Sequence, residues 1–427
     1  MIIAKRLKGK AIATWLGPTG DAARRALATL RPTTHRLDLY FDIGDPWSYL
    51  AAQAAQRLVE AYGVELAITM VTPPASDVDA QPAMRARHAV RDARMLAEYW
   101  NVDFPGKKEA DPGALRDVAT SLVKDRPAGE QLTAAIELTT AMWAGDKKRL
   151  ASLLGKWGTE SSMRVPPILN ANYEALRKAG HYQGAMLTYG GEWYWGIDRL
   201  RYLEAALARD TGKPVANVVT PRQGAGPLAL SDKPLTCELW FSFRSPFAYL
   251  ALEQIERVLG DVPLVLRPIA PMVTRGIPLP NAKRLYNVRD AKREADRLRI
   301  EFGEICDPLG AGIDHCLAIA HWADQRGQLL AFARSALRGI WAEARDMAEY
   351  VDLRHVVERA HLPWDEAKHA IGRDDAAKWA TANAADLAVI GLWGVPSLRV
   401  GDFVAWGQDR LPLLAERLRR HALVTPS

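Results

Sequence analysis

A β-rich run, a tight turn before a proline, an amphipathic helix and a second β-rich run follow one another twice along this chain. The first pass reads HRLDLYFDIGDPWSYLAAQAAQRLVEAYGVELAITMV and the second TCELWFSFRSPFAYLALEQIERVLGDVPLVLRPI. Pro46 and Pro246 lie 200 residues apart. Val90-Arg91-Asp92-Ala93 returns as Val288-Arg289-Asp290-Ala291 at an offset of 198, and Trp195 returns as Trp406 at 211. The drift places the extra residues in the middle of the second copy. Each copy closes on a hairpin and a helix, with Gly190-Gly191 and Gly401-Asp402 suited to two-residue turns. Between the second run and the hairpin, segments such as AKREADRLRIEFGE and AFARSALRGIWAEARDMAEYV carry helical periodicity.

The order β-α-β, helical insert, β-β-α is that of a thioredoxin fold with an inserted helical subdomain. The expected class is therefore α/β, with two tandem thioredoxin-like domains. The expected boundaries are a basic extension over 1–35, a first domain over 36–209, a Pro- and Gly-rich linker over 210–234 and a second domain over 235–422.

Composition narrows the function classes. A hydrophobic share of 48% with 25% charged residues describes a globular chain with real cores. No apolar stretch reaches the roughly 18 residues of a membrane span, so no integral membrane segment is expected. Residues 1–36 hold eight Lys or Arg against the single acid Asp21, whereas the whole chain is only +6, so the remainder is near neutral. That balance argues against a nucleic-acid surface on the folded body. The arm itself reads as a solvated, partly ordered extension, with contact to anionic lipid or an Arg-rich, acid-poor mitochondrial targeting segment as the alternatives. Cys237, Cys306 and Cys316 form no CxxC pair, which fits a reducing, cytoplasmic setting. His315, Cys316 and His321 are the nearest approach to a metal group, but their spacing does not share a helix face, and no metal is expected.

The repeated corner carries the chemistry. Ser245 before Pro246, and Asp45 before Pro46, suit the cap and first position of a helix, a role that stabilises by about 1 kcal/mol. A helix N-terminus also favours an anion, and a thiol held there ionises more readily. With Ser245 the chain has no thiolate of its own, so an anionic sulfur would arrive with a ligand. Asp45 opposes that: two unit charges ~4 Å apart repel by up to ~4 kcal/mol at an effective dielectric of ~20.

FSFRSPFAYLALEQ, KRLYNVRDAKREADRLRIEFG and GLWGVPSLRVGDFVAWGQDRLPLL together resemble 2-hydroxychromene-2-carboxylate isomerases and kappa-class glutathione transferases, both DsbA-like thioredoxin folds. The resemblance spans 235–420 and, more weakly, 36–209. It implies that Ser245 hydrogen-bonds the sulfur of bound glutathione, and that Lys283 contacts the tripeptide. It also implies a cis Pro396 that leaves the backbone of Val395 open to the ligand, with Gln408 and Asp409 receiving the γ-glutamyl end. Lys283 also reads as a helix-face charge, and Asp409 as a helix cap. Where dithiol relatives carry C-P-x-C, this chain has Ser245 and Ala248, which argues against disulfide exchange.

The first copy departs from that pattern. Asp45 replaces the serine, Ala185-Met186 is aligned with Val395-Pro396 and expected to be trans, Arg85 stands opposite Lys283, and Asp198 opposite Asp409. It reads as a copy that keeps the fold without the thiol site, and the tandem arrangement suggests a family homodimer fused into one chain. The expected activity is a glutathione-dependent isomerase or transferase acting on a small electrophilic, aromatic substrate, with glutathione as cofactor. A non-catalytic binding protein and a thiol-disulfide oxidoreductase are the rivals.

Overall fold

The computed structural model describes residues 2–28, 36–221 and 234–424. The chain forms two compact units. One is Arg24–Gly226, here the central unit; the other joins Met1–Ala23 to Pro227–Ser427, here the C-terminal unit.

The central unit contains β1 (Arg36–Asp42), β2 (Glu65–Val71), β3 (Met186–Tyr189) and β4 (Glu192–Trp195), in the order β2-β1-β3-β4. β1 and β2 are parallel, and β3 is antiparallel to β1 and β4. The C-terminal unit repeats this plan with β5 (Cys237–Phe241), β6 (Leu264–Pro268), β7 (Ser397–Val400) and β8 (Phe403–Trp406), in the order β6-β5-β7-β8. Both sheets have the β-α-β, β-β order expected from the sequence.

Local chemistry explains the elements. In β1, Leu37, Leu39 and Phe41 are buried while Arg36, Asp38 and Tyr40 keep partial exposure, the two-residue period of a strand. The following helix, Pro46–Tyr62, has proline in its first turn and ends at Gly63, whose left-handed φ lets its N–H reach the Val59 carbonyl. Leu50, Ala54, Leu58 and Tyr62 recur at four-residue steps on its buried side and join the strand residues in one core. Each buried leucine there stabilises by about 1.5–3 kcal/mol. The Gly190-Gly191 turn has positive φ at both residues, as a two-residue hairpin between right-twisted strands requires.

Helices fill the interval between the second and third strand of each sheet, over Pro82–Ala179 in the central unit and Asn281–Val389 in the C-terminal unit. In the latter, Trp240 of β5 and Ile269 pack with Leu387 and Leu392 at the end of the insert.

Two segments differ from expectation. The start of the Pro- and Gly-rich stretch is fastened to the central unit. The Tyr62 hydroxyl accepts from Ala216 N at 2.9 Å, Glu204 accepts from Val218 N at 3.1 Å, and Lys213 donates to the Ala61 carbonyl at 3.0 Å. Of the expected linker, residues 222–233 lie outside the described residues. The basic extension is not solvated on all sides either: Ile2–Leu16 and Pro18–Ala28 are helices. Gly9 and Leu16 of the first are buried, and Ala13 lies against Gly303. A local reading of charge missed this because the partner surface is some 300 residues away in sequence.

Candidate functional site

Ser245 caps the helix Pro246–Leu252 at the C-terminal edge of β5. Its Oγ accepts from Ala248 N at 3.2 Å and donates to the Val395 carbonyl at 3.3 Å. The residue is partly buried. The Val395–Pro396 peptide is cis, which matches the expectation. Gly394 precedes it under the Trp406 ring, where a Cβ would stand 2.6 Å from the indole nitrogen. Any larger residue there forces the ring or the loop away from Ser245.

The helix behind Ser245 packs against both the helix Asn281–Leu298, which bears Lys283 in its first turn, and the short turn Gln408–Arg410. Ser245 therefore meets Val395 directly, whereas Lys283 and Asp409 sit on elements that pack against the helix it caps. Gln408 differs from expectation. Its side chain is 2% exposed, donates to Glu294 at 3.0 Å and accepts from Gln254 at 3.5 Å. Both ends of its amide are engaged inside the fold, so the side chain braces the corner rather than facing a ligand. Asp409 lies within that turn, one residue inside its Gly407 cap, with Arg410 at 3.5 Å. The helix that follows, Leu411–Val424, begins two residues later.

Two arginines join the corner without having been singled out from the sequence. Arg244, next to Ser245, grips Asp307 through two bonds of 2.8 Å. Burial alone would raise the Asp307 carboxyl, but the Arg244 guanidinium outweighs it and holds the carboxyl below its ordinary value. Arg275, on the turn after β6, donates to the Ala270 carbonyl at 3.1 Å and the Trp393 carbonyl at 2.9 Å, tethering the loop that leads to Val395. Arg244 is visible inside the repeated motif, but nothing local marks Asp307 as its partner or Arg275 as the tether of the facing loop.

The central unit builds the same corner and closes it. Asp45 caps its helix, its Oδ2 accepting from Ser48 N at 3.1 Å and from Ser48 Oγ at 2.9 Å. Ser48 Oγ in turn accepts from Asp42 N at 3.1 Å and Ala185 N at 2.8 Å. Arg85 lies over the Trp47 ring, with its Nη2 3.7 Å from Asp45 Oδ1 and its Nε 3.9 Å from Asp79. Asp45 is only 3% exposed.

The register of the facing loop needs a one-residue correction. Gly196 N bonds the Ala185 carbonyl as Gly407 N bonds that of Pro396, both at 2.8 Å. Met186 and Ser397 pair alike with Trp195 and Trp406. Ala185 is therefore the counterpart of Pro396, and Gly184 that of Val395. The Ala185–Met186 bond is trans, and Ala185 has a φ of 55°. Gly184 passes so close to the first corner that a Cβ would come within 2.6 Å of Asp42 Cβ and 2.9 Å of Ser48 Oγ.

Burial, and then the charge of Asp45, push the Asp42 carboxyl up to about 7 against the pull of Arg85. Because its folded pKa exceeds the ordinary unfolded value of about 4, folding is favoured when it is protonated and loses support as pH rises through that window. Asp42→Asn keeps an acceptor for the Gly44 N–H, which donates to Asp42 Oδ1 at 3.1 Å. This variant is expected to be the more stable protein at pH 8 by on the order of 2 kcal/mol and to show no gain at pH 4. Thermal denaturation at the two pH values checks both the sign and the window.

The three cysteines are buried and form no disulfide with one another. Burial, with the nearby charge of Glu238, pushes the Cys237 thiol up to about 12, and burial raises Cys316 as well. Neither ionises near neutral pH, and none of the three occupies the corner. Among the described residues no group of three or more His, Cys, Asp or Glu is placed to hold a metal ion, and no helix is long and apolar enough to cross a membrane.

A sheet of this order, a helical insert and a capped helix beside a cis proline define a thioredoxin-type domain of the DsbA kind. Residues 236–419 match the family model described as the DSBA-like thioredoxin domain, and this part of the chain is a DsbA-like thioredoxin domain. Among solved structures, the chain is similar to a probable DsbA oxidoreductase from Streptomyces coelicolor, at 18% identity over 45% of this chain and 92% of that one, with a TM-score of 0.38. It is also similar to a 2-hydroxychromene-2-carboxylate isomerase, at 20% identity over 45% of this chain and 100% of that one, with a TM-score of 0.38. A third likeness is to the cytosolic disulfide reductase DsbM from Pseudomonas aeruginosa, whose structure with GSH is 16% identical over 44% of this chain and 96% of that one, TM-score 0.34. No curated protein matches the sequence.

Proposed function

We propose that the C-terminal unit is a glutathione-dependent isomerase or transferase for a small electrophilic, aromatic substrate. The observation that carries this reading is Ser245: a serine hydroxyl at a helix start, in the slot that dithiol relatives fill with cysteine, beside the Val395 backbone. The corner fits a ligand that brings its own anionic sulfur. The hydroxyl can turn its hydrogen from the Val395 carbonyl to that sulfur, and the helix N-terminus favours the negative charge. Asp307, the nearby carboxylate, is already engaged by Arg244. The Val395 backbone, Lys283 and Asp409 are the groups proposed to hold the remainder of the tripeptide.

Bound glutathione would supply a thiol that, once ionised, adds reversibly to a conjugated carbon. Ser245 orients the sulfur and favours its ionised form. Arg275 keeps the loop carrying Val395 in place through the Trp393 carbonyl. Isomerisation and transfer would use the same residues and differ in whether the sulfur leaves the product.

Ser245→Ala removes one anion-directed hydrogen bond, a change of ~1.5–3 kcal/mol, so glutathione-dependent turnover of a model conjugated enone should fall tenfold to a hundredfold. Thermal stability, measured alongside, separates this from loss of the cap, which costs about 1 kcal/mol. Unchanged turnover would leave capping as the whole role of Ser245.

A further inference from the structure

Over residues 7–16 the N-terminal helix Ile2–Leu16 buries one side and exposes the other. Gly9, Ile12, Ala13 and Leu16, at the i, i+3, i+4, i+7 spacing of one helix face, are buried or half-buried. Gly9 makes the close approach possible, since a Cβ there would stand 2.5 Å from Ala344 Cβ and 3.2 Å from the Ile305 carbonyl. With Gly9 turned inward, Lys8 and Lys10 are held on the outside, and both are exposed. Leu7, Ala11 and Trp15 follow each other at four-residue steps on that outer side. Leu7 is 63% exposed and Trp15 39%.

We propose that this outer face is a docking surface for an anionic lipid bilayer. Lys8 and Lys10 flank this face, and residues 1–20 hold no acid, in a chain that is otherwise close to neutral. The complementary partner is therefore negatively charged. Nucleic-acid phosphates would meet the lysines but leave Leu7 and Trp15 in water. A bilayer surface accounts for both, because lysines reach headgroup phosphates while leucine and tryptophan enter the boundary with the acyl chains. Binding of this kind is reversible and weakens as salt screens the charges.

The test is sedimentation of the full-length protein with vesicles. It should co-sediment at low salt with vesicles of phosphatidylcholine mixed with phosphatidylglycerol, and remain in solution with phosphatidylcholine alone. Each positive charge near such a surface is worth about fivefold in partitioning, so Lys8→Gln with Lys10→Gln should weaken it roughly 25-fold. Leu7→Ser should weaken it severalfold more. Both variants alter exposed side chains, and an unchanged thermal transition verifies that the helix is still docked. The proposal is overturned by equal binding to both vesicle types, by no binding to the mixed vesicles, or by a double variant that sediments like the parent. Retention of a DNA duplex with no vesicle binding also overturns it.

Discussion

Titration with glutathione is expected to give one site per chain, and Ser245→Asp is expected to abolish the heat. The two corners share a helix start and a facing loop but differ in what fills them. Ser245 is only partly buried, and the neighbouring carboxylate is paired with Arg244. At Asp45 the capping group is itself a carboxylate, buried beneath Arg85, and the facing loop runs through Gly184 rather than Val395. Arg85, itself largely buried, lies against that carboxyl and the Trp47 ring. An aspartate keeps the cap at position 245 but puts a fixed charge beside the sulfur. A repulsion of up to ~4 kcal/mol at close range amounts to about a thousandfold in affinity. Calorimetry gives the stoichiometry directly. Two equivalent sites, or binding that survives Ser245→Asp, would sink this account of the repeat, whereas a parent with no glutathione affinity at all would sink the proposed function instead.

The second large effect is expected at Arg85→Met. The central corner buries Asp42, Asp45 and Asp79 around this one guanidinium, and Arg85 holds down the pKa of both Asp42 and Asp45. Breaking a buried pair by removing one partner typically costs 3–5 kcal/mol, and that range is expected for this variant at pH 8. Without Arg85 the two carboxyls protonate at higher pH. The loss should therefore be greatest above neutrality and shrink as pH falls toward 5. Chemical denaturation across pH measures the trend. A pH-independent loss would show that Arg85 acts through packing on Trp47 rather than through its charge. Glutathione binding should be untouched in either case, because the proposed site belongs to the other unit.

Much of the architecture is legible locally. Alternating burial in β1, the capped prolines at 46 and 246 and the glycines of the first hairpin are decided within a few residues, by backbone sterics and side-chain period. Copying that local chemistry twice is enough to announce two sheets of one order and to single out Ser245 as the corner without a thiol. What the chain does with each corner is set by partners far away in sequence. Nothing near Ser245 announces that Asp307 will take its neighbouring arginine, and Gln408 shows its inward role only against Gln254 and Glu294. The one-residue register of Ala185 emerges only when β3 pairs with β4, because a slip leaves the composition of the segment unchanged while moving every side chain to the other face. In sequence Arg85 is only the counterpart of Lys283; the packing of the helix Pro82–Trp100 against Pro46–Tyr62 is what brings it to Asp45. The basic N-terminal helix is likewise a charged arm in sequence and a docked element in the fold, because the surface that buries Gly9 and Leu16 exists only after residues 303–344 have assembled. Local preference, then, determined the elements and the repeated corner; tertiary packing, by deciding which charges lose water and which meet a partner, determined which corner stays open.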